Sequence, residues 1–181
     1  MSVMKLLPLV LNVALGLAGF ACGGNRTSGK VDTTPVAEFD LNRYLGTWYE
    51  IARYDHRFER GVEQARADYT LEAPDRIRVV NSGVDAAGKP REAVGKAHPG
   101  KRPGQLRVSF FWIFYADYNV LALDPDYRWA LVGSSSPKYL WILSRTPALP
   151  RPTLEEILRR AAERGYDTTR LQYVPQGKNL K

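Results

Sequence analysis

The segment LGTWYEIARYDHRFERG, residues 45–61, concentrates side chains that could do chemistry. It contains Trp48, Glu50, Arg53, Asp55 and His56, a mixture that would suit an enzyme. Glu50 could act as a general acid or base, but no second catalytic group stands at a suitable spacing from it. No serine–histidine–acid or metal-ligand spacing connects His56 or His98 to other residues. These side chains could therefore frame a site instead of reacting in one.

Metal and redox chemistry are disfavoured because few ligand side chains are available. The chain has two histidines and one cysteine, Cys22, which excludes a four-cysteine zinc site, a CxxC redox pair and an intrachain disulfide. We expect no metal, haem or other cofactor. A formal net charge of +7 without long basic runs does not indicate a nucleic-acid partner. The 181 residues suffice for one domain with its own core.

The N-terminus follows the plan of an export signal. Lys5 precedes an apolar run over residues 6–21 that is too short and interrupted for a membrane span. The run stops at Cys22, as in bacterial lipoprotein signals, although Gly19 stands where such signals usually carry leucine. We expect residues 1–21 to be a lipoprotein signal peptide and Cys22 to be lipidated. Ordinary cleavage after Ala21, leaving a free thiol, is the alternative.

The remaining chain divides by composition into three parts. Residues 22–36 are polar and rich in Gly, Ser and Thr, which is typical of a flexible tether. Residues 37–176 form the expected domain, and residues 177–181 the expected tail. Short runs of alternating polarity predict eight strands, at 46–55, 63–71, 76–83, 91–98, 105–112, 118–124, 128–134 and 139–145. This spacing favours an antiparallel barrel or a sandwich.

One helix follows the strands. Thr153 and Glu156 have the spacing of a capping box, and Gly165 is a natural helix end. The apolar face between them predicts packing against the outside of the sheet. Residues 170–175 could add one short strand.

The less charged faces of the strands carry many small residues, which indicates a hollow interior. They are Ala52, Ala65, Ala67, Gly83, Ala93, Gly95, Ala97, Ala122 and Ala130. A filled sandwich core needs bulky side chains to reach normal packing density. An eight-stranded barrel can instead hold one small ligand. Large neighbours such as Phe110 and Trp141 filling the gap are the alternative.

Three blocks resemble the conserved blocks of the lipocalin family. Gly46-Thr47-Trp48 opens the first strand, LDPDY holds Asp124 and Tyr127, and LWILSRTP holds Arg145. Longer stretches, including FFWIFYADYNVLALD, are similar to bacterial outer-membrane lipocalins and more distantly to apolipoprotein D. The similarity covers residues 38–176. It implies an all-β fold, an eight-stranded antiparallel up-and-down lipocalin barrel with a C-terminal α-helix packed outside.

The resemblance also implies roles for individual residues. Trp48 would sit at the closed base with Arg145 across it, and Gly46, Asp124 and Tyr127 would share this structural role. Strand parity places Glu50 on the interior side with Trp48 and points Arg53 outward. Parity and resemblance together predict a ligand pocket lined by Ala52, Tyr69, Asn81, Phe110, Trp112, Tyr118 and Trp141. Arg53, Arg57, Arg60 and Arg66 are expected to form a cationic rim.

An apolar tube with a basic rim suits an acyl chain with an anionic head, so we expect a fatty acid or lysophospholipid ligand. The protein would be a non-enzymatic lipid carrier or scavenger. Lipidated Cys22 would anchor it in the outer membrane facing the periplasm, and it could form a homodimer. The alternatives are an enzyme acting on a lipophilic substrate and a structural envelope lipoprotein with a filled barrel. In the loop after Phe111, Trp112 and Ile113 replace the Gly-Pro pair usual in bacterial relatives, which leaves ligand selectivity and any dimer contact open.

Overall fold

A computed structural model describes residues 30–111 and 113–177. A single turn of helix, α1 (Leu41–Tyr44), precedes the strands. The strands are β1 (Gly46–Tyr54), β2 (Glu63–Ala73), β3 (Arg76–Val84), β4 (Pro90–Pro99), β5 (Gln105–Phe111), β6 (Phe114–Leu123), β7 (Trp129–Gly133) and β8 (Leu140–Ser144). They are followed by helix α2 (Arg151–Glu163), a 3₁₀ turn (Thr168–Arg170) and the short strand β9 (Leu171–Tyr173).

The strands close into an antiparallel barrel. Each strand from β2 to β7 pairs with the next, and β1 pairs with both β8 and β2. The barrel with one helix outside confirms the predicted fold class. We call the end where β1 begins the base. The mouth is the opposite end, formed by the β1–β2 loop, the β5–β6 hairpin and the β7–β8 loop.

A β-bulge in β1 changes which side chains face inward. Glu50 pairs with Leu143 of β8, but Ala52, two residues on, pairs with Ile142, the immediate neighbour of Leu143. The extra residue reverses the alternation beyond it. Arg53 is therefore opposite Trp141 on the interior side, and the prediction that it points outward is wrong.

The upper half of β1 leaves β2 and pairs with β9. The β1–β2 register covers residues 46–49 of β1, whereas Ala52 is opposite Tyr173 of β9. Gln176 bridges the separation, because its side-chain amide donates to the carbonyl oxygens of Glu50 and Ala65 at 2.6 and 2.9 Å. The split lets the barrel widen towards the mouth without leaving these carbonyls unpaired.

Helix α2 differs from the prediction at its start. It begins at Arg151 after Pro150, and no side chain caps it, so the capping box predicted at Thr153 is wrong. Glu156 instead pairs with Arg159 and Arg160 on the exposed face. The preceding proline fixes the backbone for helix entry, which makes a side-chain cap less necessary.

Two buried clusters lie on opposite sides of the barrel wall. The outer cluster packs Ile157 and Ala161 of α2 against outward-facing residues such as Ile142 and Leu131. The inner cluster fills the lower barrel and includes Trp48, Ile77, Val79, Leu106 and Val120. Helix α2 therefore belongs to the outer wall, and the interior is lined by strand residues together with Tyr44 of α1.

The chain before α1 is held against this wall over the last part of the expected tether. The amides of Asp32 and Val36 donate to the carbonyls of Arg164 and Val120 at 2.9 and 2.8 Å. Asn119 donates to the carbonyl of Thr33 at 3.0 Å. Contact with the barrel thus begins several residues before the expected domain start; Cys22 and the rest of residues 1–29 lie outside the described residues. Within residues 30–111 and 113–177, we find no helix with the length and apolarity to cross a membrane.

Candidate functional site

The base of the lumen is closed by Trp48 and Arg145. Trp48 is fully buried and its indole nitrogen donates to the Tyr44 carbonyl at 2.7 Å. The Arg145 guanidinium lies 3.9 Å from the centre of the indole. It donates to three backbone carbonyls, those of Arg43, Thr47 and Tyr127. Burial lowers the Arg145 pKa, and the stacking and hydrogen bonds offset part of that desolvation.

The other motif residues also lie at the base. Asp124 accepts hydrogen bonds from the Arg128 guanidinium and from the backbone amides of Asp126 and Arg128. These hydrogen bonds, the one from the Arg128 side chain above all, lower the pKa of Asp124. Tyr127 adopts a left-handed φ of 59° and its hydroxyl accepts from the Asp40 amide. Gly46 has a φ of 91°, and a Cβ there would lie 3.4 Å from Arg145. These contacts tie the β6–β7 turn to the entry of β1.

Above Trp48, three tyrosines form the floor of the lumen. Tyr44 and Tyr118 share a hydrogen bond of 2.6 Å, and the Tyr69 hydroxyl donates to that of Tyr118 at 3.1 Å. Burial raises the pKa of all three phenols, so they stay protonated. Three hydroxyl protons share two recorded hydrogen bonds, which leaves one donor on Tyr44 or Tyr118 available for a further acceptor.

Higher in the barrel, inward-facing residues keep solvent-accessible surface. Ala93, opposite Asn81, and Ala116, opposite Val108, are exposed although the register points them inward. Asn81, Val108, Phe110, Tyr118 and Trp141 are half-buried. The inward-facing residues of the base are buried. Solvent therefore enters the lumen from the mouth and stops at the tyrosine floor.

The structure brings five of the seven expected pocket residues to this lumen: Tyr69, Asn81, Phe110, Tyr118 and Trp141. Gly95 matters for Phe110, because a Cβ at Gly95 would lie 2.7 Å from the Phe110 ring. Ala52 is placed instead in the outer cluster, since the bulge turns it away from the lumen. Trp112 lies outside the described residues.

One wall of the mouth holds a buried arginine–glutamate pair. Arg53 and Glu50 are both buried, with Nη1 donating to Glu50 Oε1 at 2.6 Å. Arg53 Nη2 donates to the carbonyls of Glu59 and Val62 at 2.6 and 2.9 Å, which fastens the β1–β2 loop to the wall. Burial and the nearby Glu59 charge raise the pKa of Glu50 to about 8, despite the opposing effect of Arg53.

Aromatic rings surround the second carboxylate of the mouth. Glu59 Oε2 accepts from the Trp141 indole at 3.1 Å and lies 2.9 Å from His56 Nε2. The His56 ring lies close to this carboxylate but is not well aligned for a hydrogen bond with it. Tyr139 stacks on Trp141 at 5.8 Å. Burial favours the neutral acid, but contacts with His56, Trp141 and Arg53 outweigh it and lower the pKa of Glu59.

The predicted cationic rim is largely neutralised. Arg60 pairs with Asp55, and Arg66 lies 3.5 Å from Asp68. Arg53 is committed to Glu50 and to two carbonyls. Arg57 stacks over the Phe58 ring at 4.8 Å and has no acidic partner among the residues that the structure describes. Of the four predicted rim arginines, Arg57 alone is exposed without an acidic partner among the described residues. Across residues 30–111 and 113–177, no three His, Cys, Asp or Glu side chains lie close enough together to hold a metal ion.

A closed base, a tyrosine floor and a lumen open at one end define a cup-shaped binding barrel. A lipocalin-like domain matches residues 39–176. The chain belongs to the lipocalin family.

The curated relatives include bacterial outer membrane lipoproteins and mammalian apolipoprotein D. The chain is 44% identical over 176 residues to the outer membrane lipoprotein Blc of Escherichia coli, covering 96% of this chain and 98% of the relative. It is 47% identical over 146 residues to Blc of Vibrio cholerae, covering 78% and 85% of the two chains. Apolipoprotein D of Macaca fascicularis is 34% identical, with 96% of each chain covered. These matches confirm the resemblance seen in the sequence.

Solved structures show the same fold at lower identity. Insecticyanin from the tobacco hornworm superposes with a TM-score of 0.69 at 20% identity, covering 81% of this chain and 86% of that one. Apocrustacyanin C1 gives a TM-score of 0.66 at 21% identity, covering 77% and 81%. At such identities the likeness establishes the barrel alone.

Proposed function

We propose that this protein binds one single-chain lipid, a fatty acid or a lysophospholipid, in the barrel lumen. It would store, transport or scavenge that lipid at the cell envelope without chemical conversion. The observation that carries the proposal is the accessible inward surface of the upper barrel above a closed floor. Such a cavity takes a slender apolar molecule inserted from the mouth, and each buried methylene contributes about 0.8 kcal/mol.

The acyl chain supplies most of the affinity in this proposal. The rim arginines are mostly paired, so a carboxylate or phosphate head has few free cations to meet. Arg57 is the exposed cation that could contact an anionic head. The free phenol proton at the floor could donate to an oxygen atom of the ligand or to a water molecule.

The proposed location follows from the relatives and from the leader. Curated relatives are named outer membrane lipoproteins, and Cys22 stands at the end of an export-like apolar run. We propose that Cys22 is lipidated and holds the protein in the outer membrane, facing the periplasm. A homodimer is compatible with this arrangement, and the native mass spectrometry described next would detect it.

Native mass spectrometry with lipid extraction tests the proposal on protein purified from cells. We expect one co-purified fatty acid or lysophospholipid per chain. Phe110→Arg and Trp141→Ala should lose it, because both alter the lumen wall. Val94→Arg, on an exposed position of β4, is the matched control and should keep it. An empty protein that also rejects added oleate and lysophosphatidylethanolamine contradicts lipid binding and favours a structural lipoprotein.

A further inference from the structure

Four large apolar side chains are exposed together at the mouth. Phe58 is 60% exposed, Phe111 66%, Ile113 71% and Phe114 76%. The rings of Phe58 and Phe111 are 6.3 Å apart, which joins the β1–β2 loop to the β5–β6 hairpin. Phe111 is the cross-strand partner of Phe114, and Ile113 lies in the turn between them. We call these four residues the mouth patch.

The mouth patch serves no packing purpose in the described structure. Phe58, Phe111 and Phe114 belong to neither buried cluster. The patch lies beside the lumen entrance. Isolated exposed apolar residues are common, but a contiguous group of large ones marks an interaction surface. The patch is carried on the β5–β6 hairpin and the β1–β2 loop, and exposed apolar side chains on such turns suit insertion into a soft apolar layer.

The route of the N-terminal segment indicates which surface the patch meets. From Val36 the chain runs back along the outer wall to Val31, which lies beside Gly165 just after α2. This end of α2 faces the mouth half of the barrel, because Tyr166 packs on Tyr54, the last residue of β1. Val31, the second residue that the structure describes, therefore lies on the side of the barrel nearer the mouth.

The predicted anchor is close enough to bring the mouth to a membrane. Eight peptide links separate Cys22 from Lys30, a span of at most roughly 28 Å. An anchor on such a short connection, leaving from the mouth side, would hold that end of the barrel near the lipid surface. The exposed Arg57 beside Phe58 adds attraction to anionic head groups.

We infer that the mouth patch docks on the surface of a lipid bilayer and inserts its phenylalanines and Ile113 among the head groups and upper acyl chains. Docking places the lumen entrance against the bilayer, so a single-chain lipid can pass between membrane and barrel without crossing water. This inference goes beyond lipid binding, because a barrel could bind lipid in solution and never dock. It commits to a bilayer as the occupant and makes a second copy of the chain a contradicting outcome.

The test places a fluorescent thiol label on the anchored full chain in vesicles of phosphatidylethanolamine and phosphatidylglycerol. Phe114→Cys and Ile113→Cys report on the patch, and Leu71→Cys, an exposed residue near the base end of β2, is the matched control. The parent chain measures any labelling of Cys22. We expect lipids brominated in the acyl chain to quench both patch labels strongly, and aqueous iodide to quench them several-fold less than the Leu71 label.

Equal iodide quenching at Phe114, Ile113 and Leu71 would overturn the inference. Patch labels already shielded from iodide without vesicles would also overturn it, because the patch would then be covered by a second copy. The double variant Phe111→Asp, Phe114→Asp supplies a functional readout. We expect it to take up lipid from vesicles at least about tenfold more slowly than the parent chain. The same variant should retain lipid when lipid is added in solution, which separates failure of docking from failure of lipid binding.

Discussion

The base and the mouth of the barrel handle buried polar groups in opposite ways. At the base, one guanidinium, that of Arg145, meets three carbonyls and an indole face, and the neighbouring phenols are neutral. At the mouth, Glu50, Arg53, His56 and Glu59 crowd into a small volume beside the open lumen. The base therefore closes the barrel with a fixed set of contacts. The mouth keeps ionisable groups where they can respond to pH and to a ligand.

The largest loss of stability at either end of the barrel should come from removing Arg53 at the mouth. Arg53→Met leaves Glu50 buried without its cation and strips two carbonyls of their donor, so we expect a loss of about 3 kcal/mol or more in unfolding free energy. The measurement is urea denaturation at pH 9, where the parent holds Glu50 mostly ionised beside Arg53 and the variant can keep Glu50 buried only by holding a proton against the higher pH. Arg60→Met is the control, because its pair with Asp55 is exposed and its loss should leave the free energy of unfolding almost unchanged.

A smaller loss is expected at the base. Arg145→Met removes three hydrogen bonds and the contact with Trp48, for which we expect about 2 to 3 kcal/mol in the same denaturation experiment. No carboxylate is left unpaired, so this loss should not change between pH 6 and pH 9. A loss larger than that of Arg53→Met would reverse the comparison.

The mouth alone should make stability depend on pH through a carboxyl of raised pKa. The folded-state pKa of Glu50, about 8, lies above its ordinary value of 4.5. The folded protein therefore holds this proton more tightly, and the resulting stability is full below pH 4.5 and is lost as pH rises through 8. Glu50→Gln should remove this decline, which reaches at most about 1.4 kcal/mol per pH unit.

Glu59 should act in the opposite direction. Its pKa is lowered, so its contribution is present above pH 4.5 and is lost as the pH falls through its folded value. Comparing melting temperatures of the parent, Glu50→Gln and Glu59→Gln across pH 3 to 9 separates the two carboxyls. A Glu50→Gln profile parallel to that of the parent would show that burial does not raise the Glu50 pKa.

The smallest effect is expected at the floor between the two ends. Tyr118→Phe removes the hydroxyl that joins Tyr44 and Tyr69, at a cost of about 1 kcal/mol. Tyr115→Phe, on the other side of the β6 strand, should be neutral. If the free phenol proton contacts the ligand, Tyr118→Phe should also weaken binding of oleate more than binding of a hydrocarbon of equal length, as calorimetry would measure.

Sequence reasoning succeeded where alternation and short motifs decide the structure. The eight strands and the outer helix were predictable because barrel strands alternate regularly. The expected position of Trp48 and Arg145 came instead from the resemblance of their sequence blocks to those of lipocalins. The helical turn holding Tyr44 was missed, since four residues carry no periodic signal. Tyr44 lies two residues before Gly46 of the Gly46-Thr47-Trp48 block, and that position was the available clue.

The mouth was harder to predict because its arrangement is not local. The bulge after Glu50 exchanges the environments of Ala52 and Arg53, and nothing in the alternation of β1 reveals the extra residue. The rim charges were identified, but their pairing within the β1–β2 loop depends on the loop conformation. Strand β6 also begins at Phe114, four residues before the predicted start, which extends the hairpin that carries the mouth patch.

A crystal structure with terminally brominated stearate tests most directly whether the barrel is open at the mouth and closed at the base. The account predicts one anomalous bromine peak inside the lumen, above Trp48 and beside Phe110 and Tyr118, and no such peak in Phe110→Arg crystals. A peak only on the outer wall near α2, or an upper lumen closed by collapsed side chains, would contradict it.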